Sequence, residues 1–328
     1  MVKPFISVIV TAHNRKEFIL ECLNSVLNQD LDTRFYEIIV VKNFEDNDID
    51  TFIMKNKIRP VYTNTTNIGI KFFLGAKEAR GNVLSFLNDD DKFMGNKLSI
   101  IYNIFINNLD LLYYHNSFEK IDSEGKLIDT NVNPDNIMIN TNNLSIKLIK
   151  RAIRGYNTFN DSCISIRKEI VLRFSKEIKE VSGNDDTILF LLSLLNEGKI
   201  IFDSKKLTLY RQWNSTSQLK NENINTNMVK FNKLIDKRTK SYQAIIDLFK
   251  NESYFNIILC FYYSNLLQKY LFNNVNKSVI IKLLFKFLRC PLYSSFKTRI
   301  ALIGLIIINL INKEIFYKYI ARIIFNNY

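Results

Sequence analysis

The sequence predicts an α/β fold: a mostly parallel sheet flanked by helices over residues 1–218, followed by an all-α, basic region over 219–328. Three observations predict it. Short unbroken apolar runs at 5–10 (FISVIV), 36–41 (YEIIVV) and 83–87 (VLSFL) have the length and composition of strands buried on both faces of a parallel sheet. Segments of helical spacing separate these runs, and that alternation belongs to a doubly wound sheet and not to consecutive hairpins. Charge is unevenly placed as well. Of 45 Lys/Arg and 32 Asp/Glu in the chain, 17 and 5 lie from Lys220 onward. The first two-thirds is therefore balanced and the last third strongly basic, which puts a domain boundary near 215–225. A chain of 328 residues is also longer than one hydrophobic core usually supports.

Each element follows in order. After 5–10 comes a polar Thr-Ala-His-Asn-Arg turn at 11–15, then Phe18, Leu20, Cys22, Leu23, Val26 and Leu27 at helical spacing. The run at 36–41 is a second buried strand, Val61 and Tyr62 a short third, 70–80 a helix and 83–87 a fourth strand. Helical periodicity returns at 97–109. Residues 110–128 suggest a hairpin turning at 122–125 (DSEG). A helix at 143–153, a strand at 162–166 and short helices at 168–174 and 187–195 follow, the last with Gly198 as its C-cap. Strands at 200–202 and 206–210 end the first region. Beyond Lys220 the pattern becomes amphipathic helices at 225–250, 252–272, 276–289 and 296–325.

Composition excludes several classes. Four cysteines without CxxC spacing and two histidines leave a Cys/His zinc site almost no ligands. The cysteines read as free thiols of a reducing compartment. The apolar N-terminal run reads as a buried strand and lacks the layout of a signal peptide. No run reaches about 18 apolar residues, as a spanning helix requires. These features predict a cytoplasmic protein.

Chemistry concentrates at 88–91, Asn-Asp-Asp-Asp, directly behind a buried strand. In open α/β sheets ligands bind at the carboxyl ends of strands. The loops at 11–15 and 42–46 end at the same edge. Adjacent carboxylates repel unless a cation shares them, and hard oxygens suit Mg²⁺ or Mn²⁺ with substrate phosphates completing the shell. The plainer alternative is an acidic turn in which an Asp caps the next helix.

Four stretches then resemble glycosyltransferase family 2, which has the nucleotide-binding GT-A fold. They are ISVIVTAHNRKEFILECLNSVLNQ, YEIIVVKNFEDND, NIGIKFFLGAKEARGNVLSFLNDDD and NDDTILFLLSLLNEGKIIFDSKKLTLYRQWNSTSQ. The resemblance covers 5–218. It implies a nucleotide pocket lined by Thr11, His13, Asn14 and Arg15, with Asn43, Asn67, Gly69, Asp89 and Arg211 also on the donor side. It implies a Mn²⁺ or Mg²⁺ held by Asp90, with Asp91 and Asp89 as supporting ligands. Asp185 and Asp186 stand where the family has Glu-Asp, and Asp186 takes the place of the general base that deprotonates the acceptor hydroxyl. The implied reaction is single-displacement, inverting transfer of a sugar from a UDP- or GDP-sugar to a glycan, lipid-linked or protein acceptor. The acceptor side is expected at 155–165.

The chain departs from the family at Lys42-Asn43, where Asp-Asp is usual, and the Ala-Arg-Asn element after Asn67-x-Gly69 is missing, with Lys71 the nearest basic residue. Trp213 replaces a frequent His and could stack on a sugar face. These departures keep alive a catalytically weak or inactive scaffold that retains the fold. A sugar-phosphate nucleotidyltransferase is the other alternative, but the 11–15 turn lacks the Gly-rich basic loop it needs. In the last third Lys282, Lys286, Arg289, Lys297 and Arg299 interleave with apolar residues, as in helices that lie on an anionic bilayer. Two readings stay open there, a helical appendage packed on the first region with its Lys face in water and peripheral contact with the cytoplasmic face of a membrane; nucleic acid is not an expected partner.

Overall fold

The computed structural model describes residues 3–14, 16–128, 135–153, 157–213, 224–272, 277–289 and 304. The chain divides into two compact units, Met1–Trp213 and Asn214–Tyr328. The boundary expected at 218/219 falls in 214–223, outside the described residues.

In the first unit β1 (Ile6–Ala12), β2 (Tyr36–Lys42), β3 (Arg59–Tyr62) and β4 (Val83–Asn88) pair in parallel in the order β3-β2-β1-β4. All seven residues of β1 are buried. This explains why its sequence is mostly apolar with no regular polar alternation, its polar Ser7 and Thr11 being buried as well. Helices α1 (Ile19–Leu27), α2 (Asn47–Lys55) and α3 (Ile68–Glu78) provide the crossovers. One face of α1 buries Ile19, Cys22, Leu23 and Val26 against the sheet core that Val8, Val10, Ile38 and Leu87 share. β1 lies between β2 and β4, so the loops leaving three adjacent strands open at one edge.

β5 (Lys92–Phe93) and α4 (Lys97–Asn107) follow, then β6 (Leu111–Ile121), β7 (Leu127–Ile128), β8 (Ile137–Asn140), α5 (Ile146–Ile153), β9 (Ile164–Arg167), α6 (Lys168–Arg173), α7 (Ser175–Glu180), α8 (Asp185–Ser193) and β10 (Lys199–Arg211). The sheet continues from β4 as β9-β6-β10-β5, with β9 antiparallel to both neighbours and β6 parallel to β10. The hairpin expected at 110–128 is β6–β7, closed by Gly125 N–H donating to Asp122 O at 3.1 Å.

Three expectations are corrected. The strands at 200–202 and 206–210 are the single strand β10, with register shifts between Asp203 and Thr208. Ser204, Lys205 and Lys206 are exposed there, and that polar stretch made one strand read as two. Helix α8 starts at Asp185, two residues before the expected start. Gly198 is not its cap: α8 ends at Ser193, and Gly198 (φ 151°) turns the chain into β10, where a Cβ would lie 2.3 Å from Asp110 O.

The second unit contains α9 (Ile224–Ile245), α10 (Phe255–Phe272) and α11 (Lys277–Arg289). Tyr242 of α9 stacks on Phe261 of α10 with ring centroids 5.3 Å apart. Helix α11 buries Ile280, Leu283 and Phe287 but leaves Ile281, Phe285 and Leu288 exposed at i, i+4, i+7 spacing. Of the helix expected at 296–325 only residue 304 is described. No helix among the described residues is long and apolar enough to cross a membrane.

Candidate active site

The acidic triplet is three residues with three fates. Parallel pairing in register sets Thr11 opposite both Asn88 and Val41, so the strand ends are level and the following residues converge. Thr11 is buried, and its Oγ1 donates to Asn88 Oδ1 at 3.2 Å. It ties β1 to β4. Asp89 is buried and turned toward the first loop, where its Oδ2 accepts the His13 N–H at 2.8 Å. Asp90 is half-buried, and its Oδ2 accepts Trp213 Nε1–H at 3.3 Å. Trp213 and Phe18 pack perpendicular to one another, centroids 4.7 Å apart.

Asp91 points inward. Its Oδ1 accepts Arg211 N–H at 2.9 Å, and its Oδ2 accepts Ser162 Oγ–H at 2.6 Å and Asn160 Nδ2–H at 3.0 Å. Burial, with the Asp90 charge adding, pushes its carboxyl up to about 7 against these stabilising hydrogen bonds. Both Asp91 oxygens accept from protein donors, so in this structure Asp91 braces the motif from below.

Arg211 is held as firmly. Its side chain is fully buried, with Nε on Asp90 O (3.0 Å), Nη1 on Asp122 O and Ser123 O (3.1 and 3.0 Å) and Nη2 on Glu21 Oε2 (2.8 Å). The guanidinium lies 4.1 Å from the Phe18 ring centroid. A guanidinium so placed holds α1, the acidic turn and the β6–β7 turn together, with four of its five N–H donors on these partners.

Asn67 and Gly69 have structural partners. Asn67 caps α3, its Oδ1 accepting Ile70 N–H and its Nδ2 donating to Lys179 O, both at 3.1 Å. Gly69 lets α3 approach the end of α7: a Cβ there would sit 1.8 Å from Ile178 O. The Asn-x-Gly pattern is thus a cap followed by a packing contact. Arg15 lies outside the described residues; Asn14 is exposed and Asn43 half-buried at the same edge. The positive charge that Lys42 brings to the second loop is turned inward. Its side chain is fully buried, with Nζ 2.5 Å from Asp50 Oδ1 and lying over the rings of Phe44 and Tyr62.

Asp185 and Asp186 form the first turn of α8. Asp186 Oδ1 accepts Thr187 N–H at 2.6 Å and Oδ2 accepts Asn160 N–H at 3.0 Å. Asn160 therefore joins both acidic segments, its main chain on Asp186 and its side chain on Asp91. It does so with φ 76°, a strained value for a residue with a Cβ. Asp161 beside it is buried. Its carboxyl is pushed well above the usual range by burial and then by the charges of Asp185 and Asp186, and it hydrogen-bonds to Asp185.

Sequence reasoning missed the polar layer beneath. Lys97 is fully buried, with Nζ on Ser162 O (2.5 Å) and Thr208 Oγ1 (3.0 Å) and 3.9 Å from the Phe93 ring centroid; burial pushes it down to about 7. Neither Lys97, Asn160 nor Ser162 stands in a motif, and a single sequence reads each of them as a surface residue.

Hard oxygens from one half-buried carboxylate, Asp90, fit Mg²⁺ or Mn²⁺, which take much of their shell from phosphates and water. Among the described residues no group of three or more His, Cys, Asp or Glu converges to hold a metal alone. Diphosphate oxygens would have to complete the shell.

Comparison with known proteins agrees with this geometry. Glycosyl transferase family 2 matches residues 7–171, half of the chain. An uncharacterised glycosyltransferase of Rickettsia bellii (strain RML369-C) is 32% identical over 129 residues, 38% of this chain and 18% of that protein. One from Rickettsia prowazekii (strain Madrid E) is 28% identical over 125 residues, 37% of this chain and 38% of that protein. The match thus spans well under half the length of these relatives. Among solved structures, S. aureus TarS 1-349 superposes with a TM-score of 0.58 at 15% identity, covering 87% of this chain and 80% of that one. Its complex with UDP-GlcNAc gives 0.52 at 14% identity, covering 86% and 88%. These structures show a shared fold, and the family match spans the strand edge and the acidic turn. The chain belongs to glycosyltransferase family 2.

Proposed function

We propose that the chain is an inverting glycosyltransferase that moves a sugar from a nucleoside-diphosphate sugar to an acceptor hydroxyl with a divalent cation. The observation that carries this reading is Asn160, which ties the strand-end acidic turn to the Asp186 segment through Asp91 Oδ2 and Asp186 Oδ2. That link supports a division of labour in which the strand-end carboxylates serve the departing diphosphate and Asp186 serves the attacking hydroxyl. The UDP-GlcNAc bound to TarS supports a UDP-sugar as donor; GDP-sugars remain in the test panel.

Asp90, with Asp89 behind it, would hold Mn²⁺ or Mg²⁺, which when bound neutralises charge on the diphosphate. Asp186 takes the acceptor proton, its carboxylate oriented by the N–H groups of Asn160 and Thr187. The acceptor oxygen then bonds to the anomeric carbon as the bond to the diphosphate oxygen breaks, which inverts that centre. The buried ion pair of Lys42 with Asp50 turns the added charge of the second loop inward, which weakens one of the two departures behind the scaffold alternative.

The test is a thermal-shift screen of UDP, GDP, CMP and dTDP with and without Mn²⁺, since binding to the native state raises apparent stability, followed by donor turnover. Asp90→Asn should abolish cation-dependent nucleotide binding. Asp186→Asn should keep binding and lower turnover by about a hundredfold or more. Full activity in either variant refutes its role, and absence of both binding and turnover across the panel favours the scaffold.

A lipid-linked acceptor suits a second feature. The exposed Ile281, Phe285 and Leu288 stripe of α11, beside Lys282 and Arg289, has the chemistry to lie on an anionic bilayer at the cytoplasmic face. Phe285→Asp should abolish flotation with phosphatidylglycerol vesicles at low salt; no flotation of the wild type removes this assignment.

A further inference from the structure

Asp90 is gripped twice from the end of β10. Arg211, whose side chain is fully buried, donates from Nε to Asp90 O at 3.0 Å and fixes the main chain of the turn. Two residues on, Trp213 donates from Nε1 to Asp90 Oδ2 at 3.3 Å and meets the carboxylate itself. Phe18, which precedes α1, joins the two grips. Its ring centroid lies 4.1 Å from the Arg211 guanidinium and 4.7 Å from the Trp213 ring, with the two rings at 86°. The indole is therefore located by ring packing as well as by its donor. An indole has one N–H donor without net charge, so it orients a carboxylate without neutralising it. Each carboxylate oxygen accepts more than one bond, and a donor on Oδ2 leaves Asp90 lone pairs for a cation. Carboxylates that ligate metals are themselves hydrogen-bonded, and losing that support costs about ten- to a hundredfold in affinity.

We propose that Trp213 is a positioning residue for the cation site: its indole N–H sets the orientation in which Asp90 meets a divalent cation. The cation rests on the donor reading above; the contacts of Trp213 with Asp90 and Phe18 do not. Trp213 lies 123 positions beyond Asp90, past the 7–171 stretch that the family matches. A side chain from outside that stretch thus completes the acidic turn. Holding Oδ2 in advance also spares the turn part of the ordering cost when cation and diphosphate arrive.

The chain has a single tryptophan, so one indole ¹H–¹⁵N signal of the full chain reports this contact. Without ligand, Asp90→Ala should move that signal and speed the exchange of its proton with water. A signal indifferent to Asp90→Ala overturns the proposal. The second measurement is a Mn²⁺ titration in the presence of the nucleotide that the wild type prefers in the panel above. Trp213→Phe keeps an aromatic ring against Phe18 and removes the N–H. It should need about tenfold more Mn²⁺ or higher for half-saturation; half-saturation at the wild-type concentration refutes the positioning role. If Trp213→Phe does not fold, the wild type decides. With Mg²⁺ and nucleotide bound, its indole proton should keep its slow exchange. With Mn²⁺ in place of Mg²⁺ the signal should broaden away, because paramagnetic relaxation acts at short range. Loss of protection under Mg²⁺ means that the cation displaces the indole, and a sharp signal under Mn²⁺ puts the cation elsewhere; either overturns the proposal. Should the wild type bind neither cation nor nucleotide, the functional reading fails and the positioning role with it, while the Asp90→Ala signal still decides whether Trp213 braces the turn.

Discussion

Replacing Asn160 tests whether the two acidic segments are one device. Its side chain makes two hydrogen bonds: Nδ2–H to Asp91 Oδ2 at 3.0 Å, and Oδ1 from Ser162 N–H at 2.9 Å. The first, to a carboxylate, is worth about 1.5–3 kcal/mol and the second about 1 kcal/mol. Asn160→Ala loses both and keeps the φ of 76°, so it should lower unfolding free energy by about 3 kcal/mol. Asn160→Gly loses the same bonds but relieves backbone strain of about 1–3 kcal/mol. It should therefore be the more stable of the two by at least about 1 kcal/mol. The assay is urea unfolding at neutral pH, with nucleotide affinity and turnover measured where each variant remains folded. Both parameters should worsen together, because Asp90 and Asp186 lose a common reference point. An alanine variant within about 0.5 kcal/mol of wild type, or a glycine variant no better than alanine, refutes the reasoning.

Gly69→Ala should destabilise by about 2–3 kcal/mol through overpacking, since its Cβ would sit 1.8 Å from Ile178 O. Nucleotide affinity of the folded fraction should be unchanged; a selective loss of affinity would return Gly69 to the pocket. His115 makes stability fall in acid. Burial, helped by the Lys97 charge, pushes its folded pKa down to about 3, below the ordinary value of about 6.5. A depressed folded pKa contributes stability above the unfolded pKa and loses it as pH falls. The group should therefore remove about 2 kcal/mol between pH 7 and pH 5. Asp91, raised to about 7, acts in the opposite sense: its contribution is present below the ordinary carboxylate value and is lost as pH rises toward 7. The comparison must therefore be wild type against His115→Gln, and parallel pH profiles of the two would refute the His115 assignment.

The parallel half of the sheet was legible because its signal is local. A strand such as β1, buried at every residue, is mostly apolar along its length, and the acidic turn directly follows another such strand. The antiparallel half was harder. β10 pairs with β5, β6 and β8, and its exposed polar middle interrupts the apolar pattern. In the site, the carboxylates at 89–91 and 185–186 were conspicuous because charged residues stand at element ends. The partners they make through Asn160 and Ser162, and the burial of Lys97, were not, because a buried polar group is satisfied by partners distant in sequence. Family resemblance gives Asn67, Gly69 and Arg211 a place in the chain, but the direction of a side chain depends on what packs behind it.

The bracing of Asp91 has a consequence for how the protein is made and handled. Its three donors lie 69, 71 and 120 positions further along the chain. A ribosome releases them in that order, and the Arg211 donor comes last. Until residue 211 has emerged, the acidic turn lacks one of its braces and β6 lacks its parallel neighbour. The stretch 7–171 that defines the family is therefore not an excisable enzyme. A truncation series should reach a native-like fold only once it includes β10.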